Sequence, residues 1–459
     1  MWMEKESFNL PESAKRALVV SCYKWDWQQV LTLEGALELK NLGFKVDLLE
    51  LSGFNVNPFK EAMKILTSKS VRISKKIKTL EKYQITVNRP FFLIFVGNIG
   101  IKLMLFFRIK VFKKLGARWN IVYPGLVDLT GDINVNPEEN RRLVRSALIQ
   151  DYVFGKVLHN WSKDKPKYDF VLIVNGRFPL NRASAFFFKQ RASEVQYIEY
   201  GANRNKFQMY RVSPHSMKNR QDLFERFMLS SMSLSEKNHL VGKDFFEKRR
   251  NFDSQANINW TRHMKNSILP KFDVSKKTCT FFPTSEKEFA GVRDEVLRGE
   301  FENQFDALTT LIESLGTEWE IFVRRHPAAK DDSIDPEAKI WAKFRSFNNV
   351  HIIEPGSNID SYELGLNSDL VAHFSSFIGP ELIFLGHQNV ITLGPTEWKS
   401  LDSTRHLGSA SKLNEYIKSH ANTRPEVDIC LLGYYMATFG KDFRQYRWIE
   451  GKSRWTLSK

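Results

Sequence analysis

Cysteine is scarce. The chain of 459 residues has three, Cys22, Cys279 and Cys430, far apart and without metal-ligand spacing. That excludes a disulfide-stapled domain and points to a reducing compartment. The opening residues, MWMEKESFNL, carry an acid early and no apolar core, so no secretory signal is expected there. There is no G-x-x-x-x-G-K-[ST] phosphate loop, no G-x-G-x-x-G fingerprint and no D-x-D triplet to hold a cation on a nucleotide diphosphate. The ten histidines are scattered, and no metal is expected. The longest apolar run, FFLIFVGNIGIKLMLFF at 91–107, is interrupted by Asn98 and Lys102. It falls marginally short of the roughly 20 apolar residues a spanning helix needs.

What is present is a globular composition, 42% hydrophobic and 26% charged. Its length calls for two domains. The net charge of +16 is concentrated: residues 64–118 hold fourteen Lys or Arg against one acid, Glu81. Apolar surface bracketed by lysines suits an anionic membrane face, at about 1 kcal/mol per basic residue near the surface. A buried helix with a solvated basic rim is the other reading. Nucleic acid is not expected as a partner, because the stretch lacks regular aromatic interleaving and no nucleic-acid motif occurs elsewhere.

Strand-like and helix-like segments alternate along the chain. Strands are expected at 16–23, 45–51, 168–176 and 195–201, with helices at 26–43, near 138–160 and near 181–192. WNIVYPG (119–125) resumes the alternation after the basic stretch. In the second half, strands are expected at 277–283, 319–327, 349–356, 368–376 and 388–394, separated by helical segments. This order implies parallel sheets covered on both faces. Residues 252–270 are polar and mixed, a candidate linker.

Ligands of open parallel sheets sit outside the carboxyl ends of the strands. Three second-half strands end there in anion-friendly groups: Thr284 and Ser285; Arg324, Arg325 and His326, presented by Pro327; and Ser375 and Ser376, followed by a helix. Hydroxyls beside free amides at a helix N-terminus suit phosphate. Glu381, five residues after Ser376, would accept hydrogen bonds from ribose if it faces the crevice. Each feature alone is more often a cap or a core residue, and His373, inside an expected strand, reads as a core histidine.

RRHP (324–327) and SDLVAHFSSFIGPELIFLGHQNVITLG (368–394) resemble the nucleotide-binding half of GT-B glycosyltransferases of bacterial surface-polysaccharide assembly. They are similar to the capsular and lipopolysaccharide transferases with His-Pro and serine-pair motifs, among them sialyl- and Kdo transferases that use CMP-sugars. LIVNGRFPLNRA (172–183) and YIEYGANRN (197–205) resemble acceptor-domain elements of such proteins. The acid motif reads Glu199-Tyr200-Gly201, with tyrosine where the sialyltransferase-like pattern has a second acid.

The resemblance implies an α/β fold of GT-B type: two doubly wound Rossmann-like domains facing a central cleft. The expected acceptor domain spans 1–258 with the basic insertion at 64–118, the nucleotide-sugar domain spans 271–430, and 431–459 crosses back. It implies a nucleotide-sugar donor as co-substrate, CMP-Kdo or a similar CMP-sugar, no other cofactor, and a glycan or lipid-linked glycan acceptor. The enzyme would work in the cytoplasm, peripheral at the inner membrane face. Asn175, Arg177, Arg204 and Trp25 are the expected acceptor contacts. For Glu199 two readings stand: general base toward an acceptor hydroxyl, or a structural acid paired with Arg177 or Arg204. Asp26 is the alternative base, with a helix N-cap as its bland role. Two rival functions stand beside this one, a CDP-polyol phosphotransferase of teichoic-acid type and a non-catalytic membrane-associated assembly protein.

Overall fold

A strand buried on both faces has no use for alternation. β4 (Phe170–Val174) buries all five residues of FVLIV, and β1 (Arg16–Ser21) buries all but its first. Around this pair the computed structural model builds the first sheet. The structure describes residues 15–23, 25–51, 84–88, 90–106, 116–130, 135–230, 235–251, 269–270, 272, 275–284, 301–326, 337–419, 429–449 and 454–457. Residues 252–268 of the candidate linker at 252–270, and the part of the basic stretch before residue 84, lie outside them.

The chain divides into two units. Unit 1 comprises Met1–Leu129, Asn134–Pro214 and Gly440–Lys459; unit 2 comprises Thr130–Ile133 and His215–Phe439. Residues 215–250, placed with the first domain on sequence, thus belong to the second.

In unit 1, β1 pairs in parallel with β2 (Lys45–Glu50), Ala17 opposite Val46, and with β4, Ala17 opposite Phe170. β3 (Thr86–Asn88) extends the sheet beyond β2, and β5 (Glu194–Tyr200) extends it beyond β4, both in parallel. The parallel order is therefore β3-β2-β1-β4-β5. Antiparallel β6 (Lys206–Tyr210) and the short β12 (Lys441–Asp442) complete the edge. Helix α1 (Asp26–Asn41) crosses from β1 to β2 so closely that a side chain at Gly35 would force Leu172 to shift. A Cβ there would stand 2.6 Å from the Leu172 side chain. Helices α2 (Phe91–Phe106), α3 (Gly116–Thr130), α4 (Arg141–Ser162) and α5 (Pro179–Phe188) complete the unit. WNIVYPG lies inside α3, with Pro124 in the helix interior. Its β-branched residues and proline look strand-like in sequence, yet Val122 and Leu126, and Tyr123 and Val127, are buried at helical spacing.

Unit 2 repeats the plan. Its sheet runs β9 (Val350–Ile353), β8 (Trp319–Arg324), β7 (Lys277–Phe282), β10 (Leu370–His373), β11 (Val390–Thr392), all parallel. Helices α8 (Gln304–Leu315), α9 (Ala338–Phe344), α10 (Ser361–Leu366), α11 (Ile378–Phe384) and α12 (Ala410–Ser419) connect the strands or follow them. The strand order matches that of unit 1, a chain that winds one way, returns to the middle and winds the other. Both sheets are doubly wound and Rossmann-like, the α/β class expected from the sequence. Helices α6 (Met217–Ser230), α7 (Glu236–Arg250) and α13 (Ile429–Thr438) form a separate layer of unit 2. α7 and α13 meet backbone to backbone: a Cβ on Gly433 would stand 2.4 Å from the Gly242 carbonyl oxygen.

The last residues return to unit 1. Glu34, on α1 and 1% exposed, accepts N–H bonds from Arg444, Gln445 and Tyr446 at 2.8 to 2.9 Å. Burial pushes its carboxyl above the usual range, against the pull of the three amides. Glu38, one turn on, pairs with Lys441 and Arg444. The hairpin of β13 (Tyr446–Ile449) and β14 (Arg454–Leu457) follows. A buried carboxylate that satisfies three amides, two at Oε1 and one at Oε2, cannot be replaced by an amide side chain without stranding the one at Oε2. Glu34→Gln should cost about 3 kcal/mol in denaturant unfolding, and limited proteolysis should release the 440–459 segment before any other cut.

Candidate functional site

Each sheet reverses its winding between two neighbouring strands, β1 and β4 in unit 1 and β7 and β10 in unit 2. Such a switch point leaves a crevice at the carboxyl ends, because the two flanking connections depart to opposite faces.

In unit 1, β4 ends in Asn175 and Gly176, both at positive φ, 61° and 79°. The left-handed turn reverses the chain sharply, and Asn tolerates that conformation better than most residues. Asn175 is buried; its amide Nδ2 donates to Glu199 Oε2, and its Oδ1 accepts the Arg177 backbone N–H at 2.9 Å. Glu199 Oε1 accepts the Tyr200 N–H at 3.0 Å. The half-buried carboxylate is thus held at both oxygens. This partnership with Asn175 was not foreseen from the sequence. The signal was present in the NGR segment and the strand pairing that sets Val174 beside Ile198.

Aromatic rings surround this end of the sheet. Tyr23 stacks on Trp25 with centroids 4.6 Å apart, and Trp27 lies 6.1 Å from Trp25. Phe178 packs edge-on to Trp25 at 4.9 Å, and Arg177 lies over Phe178. Trp25 stays 43% exposed, which leaves ring surface for a ligand. Tyr200 continues the shelf from Trp27 toward Trp455. Asp26 is the exposed first residue of α1; the cap position belongs to Trp25, and no side chain caps the helix. Arg204 is not in this group. Its guanidinium covers Trp448 at 4.3 Å, and its carbonyl accepts the Trp455 indole N–H.

In unit 2, Thr284 follows β7, and its N–H donates to Gln304 Oε1 at 2.8 Å. Ser285 and Pro327 lie outside the described residues. Arg324 and Arg325 end or follow β8 but turn inward. Arg324 donates to the carbonyl oxygens of Glu354 and Ser357, and Arg325 pairs with the Glu354 carboxylate at 2.6 Å. Burial pulls the Arg324 guanidinium down to about 10. Both arginines tie β8 to the chain after β9. His326, next in sequence, is exposed. Glu381, expected near a ribose, is instead buried and ion-paired with Arg249 of α7.

Ser375 and Ser376 precede the seven-residue α11, whose cap position is Phe377, and no side chain caps that helix. Ser375 adopts φ of 61°, and its buried Oγ makes no hydrogen bond among the described residues. The hydroxyl is packed against Gly394, where an added Cβ would lie 2.5 Å from it. Among the described residues no cluster of His, Cys, Asp or Glu is placed to hold a metal ion.

A third feature is α2. Phe92, Phe95, Val96 and Leu103 are exposed on one side, Phe92 to 76%, while Ile94, Asn98 and Ile101 are buried. α2 packs against α4. No helix among the described residues is long and apolar enough to cross a membrane.

No protein-family model matches the chain, and no curated protein does. Solved structures with a similar course include three examples. One is a UDP-GlcNAc 2-epimerase of Methanocaldococcus jannaschii in complex with UDP-GlcNAc and UDP, at 12% identity over 92% of this chain and 97% of that one, TM-score 0.32. The calicheamicin glycosyltransferase CalG4 has 9% identity over 93% and 94%, TM-score 0.24. Anabaena HepE in complex with UDP and glucose has 11% identity over 88% and 89%, TM-score 0.24. The strand orders and registers above establish the fold without them.

Directly beneath Ser375 lies His373, fully buried, its Nε2 2.9 Å from Thr392 Oγ1. The Thr392 hydroxyl donates its own proton to the Thr404 carbonyl, so His373 Nε2–H is the donor to it. Nδ1 has no hydrogen-bond partner among the described residues. Burial pushes the imidazole down to about 3, and His406 adds to the shift. The unfolded chain takes up this proton near pH 6.5 and the folded chain does not, so stability is whole above that pH and falls below it. Between pH 7 and 5, urea unfolding should show wild type losing about 2 kcal/mol more than His373→Gln.

Proposed function

We propose that this chain is a glycosyltransferase that moves a sugar from a nucleotide-activated donor to a glycan acceptor, with the donor on unit 2 and the acceptor on unit 1. The observation that carries the reading is the Glu199 carboxylate, oriented by Asn175 and by the Tyr200 amide beside a partly exposed aromatic shelf. Ring faces of Trp25 and Phe178 suit the apolar face of a sugar. A carboxylate held in this way at the carboxyl end of the sheet can take the proton of an acceptor hydroxyl as it attacks the anomeric carbon. Fixing the base beforehand removes an orientational cost from the transition state.

On unit 2, His326 and the Ser375–Ser376 turn are the proposed phosphate contacts. A serine hydroxyl confined without a partner gains one when a phosphate oxygen arrives. Charge that develops on the leaving nucleotide is met by these donors, without a metal. The His-Pro and serine-pair pattern favours a CMP-sugar of the Kdo type, and a surface polysaccharide or lipid-linked glycan as acceptor. Arg324, Arg325 and Glu381 are not among the proposed ligand contacts, because each is already spent on the unit's own packing.

The exposed apolar side of α2 and the basic residues that flank it in sequence suit attachment to an anionic membrane surface. With Lys75, Lys76, Lys113 and Lys114 all changed to Gln, the protein should leave anionic vesicles in a sedimentation assay at low salt. Retention on the pellet would show that the basic stretch serves another purpose.

Thermal-shift measurements with CMP, CDP, UDP, GDP and dTDP should single out one nucleotide, CMP on this reading, since a ligand of the folded state raises the melting point. His326→Ala should abolish most of that shift. Glu199→Gln should keep the shift but lower turnover by roughly 100-fold or more, whereas Asp26→Asn should have little effect on either. Near-normal turnover in a folded Glu199→Gln protein would overturn the assignment of the base.

A further inference from the structure

The helical layer of unit 1 holds a cavity of about 320 Å³, at the lower end of the range taken by small-molecule sites. It is bounded by α3, α4, α5 and the two residues Gln190 and Arg191 that lead toward the amino end of β5. α4 runs down toward the start of β4, and α5 runs away from its end. The cavity therefore lies toward the amino ends of the strands, opposite to the candidate site at their carboxyl ends.

Its lining has three properties. The first is charge: Lys156 and Arg191 are exposed at the wall, neither has an ion pair among the described residues, and His159 stands beside them. The second is aromatic support. Lys156 lies over Tyr152, Arg191 over Phe187 at 4.0 Å and Arg118 over Phe186 at 5.2 Å, so three cations are held in place by three rings around one space. The third is a single acid at the floor. Asp151 is buried, its Oδ2 accepts from Arg118 at 2.9 Å, and its Oδ1 accepts no hydrogen bond among the described residues.

The space is open in the wall as well. Gly155, one turn along α4 from Asp151, presents no side chain, and a Cβ placed there would meet nothing within 4 Å. A buried acceptor without a donor is costly unless something supplies the donor. Cations arranged on rings at the rim supply charge-assisted bonds to an anion. One ligand answers both needs, an anion that also carries a hydroxyl.

We propose that this cavity is a second binding site, for a sugar that bears a phosphate or a carboxylate. The anionic group contacts Lys156 and Arg191, and a ring hydroxyl donates to Asp151 Oδ1. If the chain extends a surface glycan, as the preceding section reads it, and that glycan carries acidic sugars, this site holds a residue of the acceptor already built. The binding claim itself does not depend on that reading.

Calorimetric titration of the full-length protein with glucuronate and with glucose 1-phosphate tests it, with glucose and inorganic phosphate as controls. Both sugar anions should bind at millimolar concentration or better, and glucose should bind at least ten-fold more weakly. Gly155→Leu fills the space and, in a helix interior with open room around it, should leave the melting point unchanged or higher. It should weaken sugar-anion binding at least ten-fold, and so should Lys156→Gln with Arg191→Gln. The nucleotide-induced thermal shift, which reports unit 2, should be unaffected in both variants, so failure here and failure of the glycosyltransferase reading are separately visible. Sugar anions that do not bind, or bind Gly155→Leu as well as wild type, overturn the proposal. Inorganic phosphate binding as tightly as glucose 1-phosphate overturns the sugar assignment.

Discussion

A parallel strand cannot be joined to its neighbour by a tight turn; the chain must leave the sheet, cross it and return, and it does so with one hand. Five parallel strands then admit few orders. Winding outward from the middle and back again produces one place where two adjacent strands send their connections to opposite faces. Both sheets have that place, between β1 and β4 and between β7 and β10. Asn175, Thr284 and Ser375 come just after strands that flank it and that the hydrophobic effect has fixed, and Glu199 is the last residue but one of its own strand. The apolar residues of those strands hold the polar ones where they are.

The two switch points are furnished differently. That of unit 1 is aromatic, with one carboxylate whose orientation is imposed by a side-chain amide and a backbone amide. That of unit 2 is made of hydroxyls and backbone, with its cations withdrawn into the fold. The withdrawal of Arg324 has a physical reason. β8 ends against the chain that follows β9, where the carbonyls of Glu354 and Ser357 have no strand to bond, and a guanidinium presents enough donors for both. A charge used this way stabilises the loop that borders the site.

The strands and most of the crossover helices could be read from the sequence because both signals are local: continuous apolar runs of four to seven residues, and apolar residues at helical spacing between them. FVLIV can hardly be anything other than a buried strand. WNIVYPG misled in the opposite direction, because β-branching and a proline outweigh periodicity over only seven residues. The candidate site was legible only in part. That Glu199 ends a strand is visible in the sequence, whereas its hold on Asn175 is a relation across two strands and has no local mark. Arg324, Arg325 and Glu381 look like ligands for phosphate or ribose because a sequence records a charge but not the direction in which it points. The flank cavity was illegible for the same reason, since its lining is gathered from residues 118 to 191 on three helices and the turn after them.

The bond between Glu34 and the amides of residues 444–446 joins the first helix of the chain to nearly its last strand, a separation of 410 to 412 residues. On a ribosome that adds about 5–20 residues per second, α1 waits on the order of half a minute or more for the partners of its carboxylate. By the end of that time all of unit 2 has been made, although it begins later. Birth order and completion order are therefore inverted: the unit that starts first finishes last. A chain cut short between residues 440 and 443 would carry a complete second unit and a first unit without the amides that Glu34 binds, the kind of product that cellular quality control is suited to recognise.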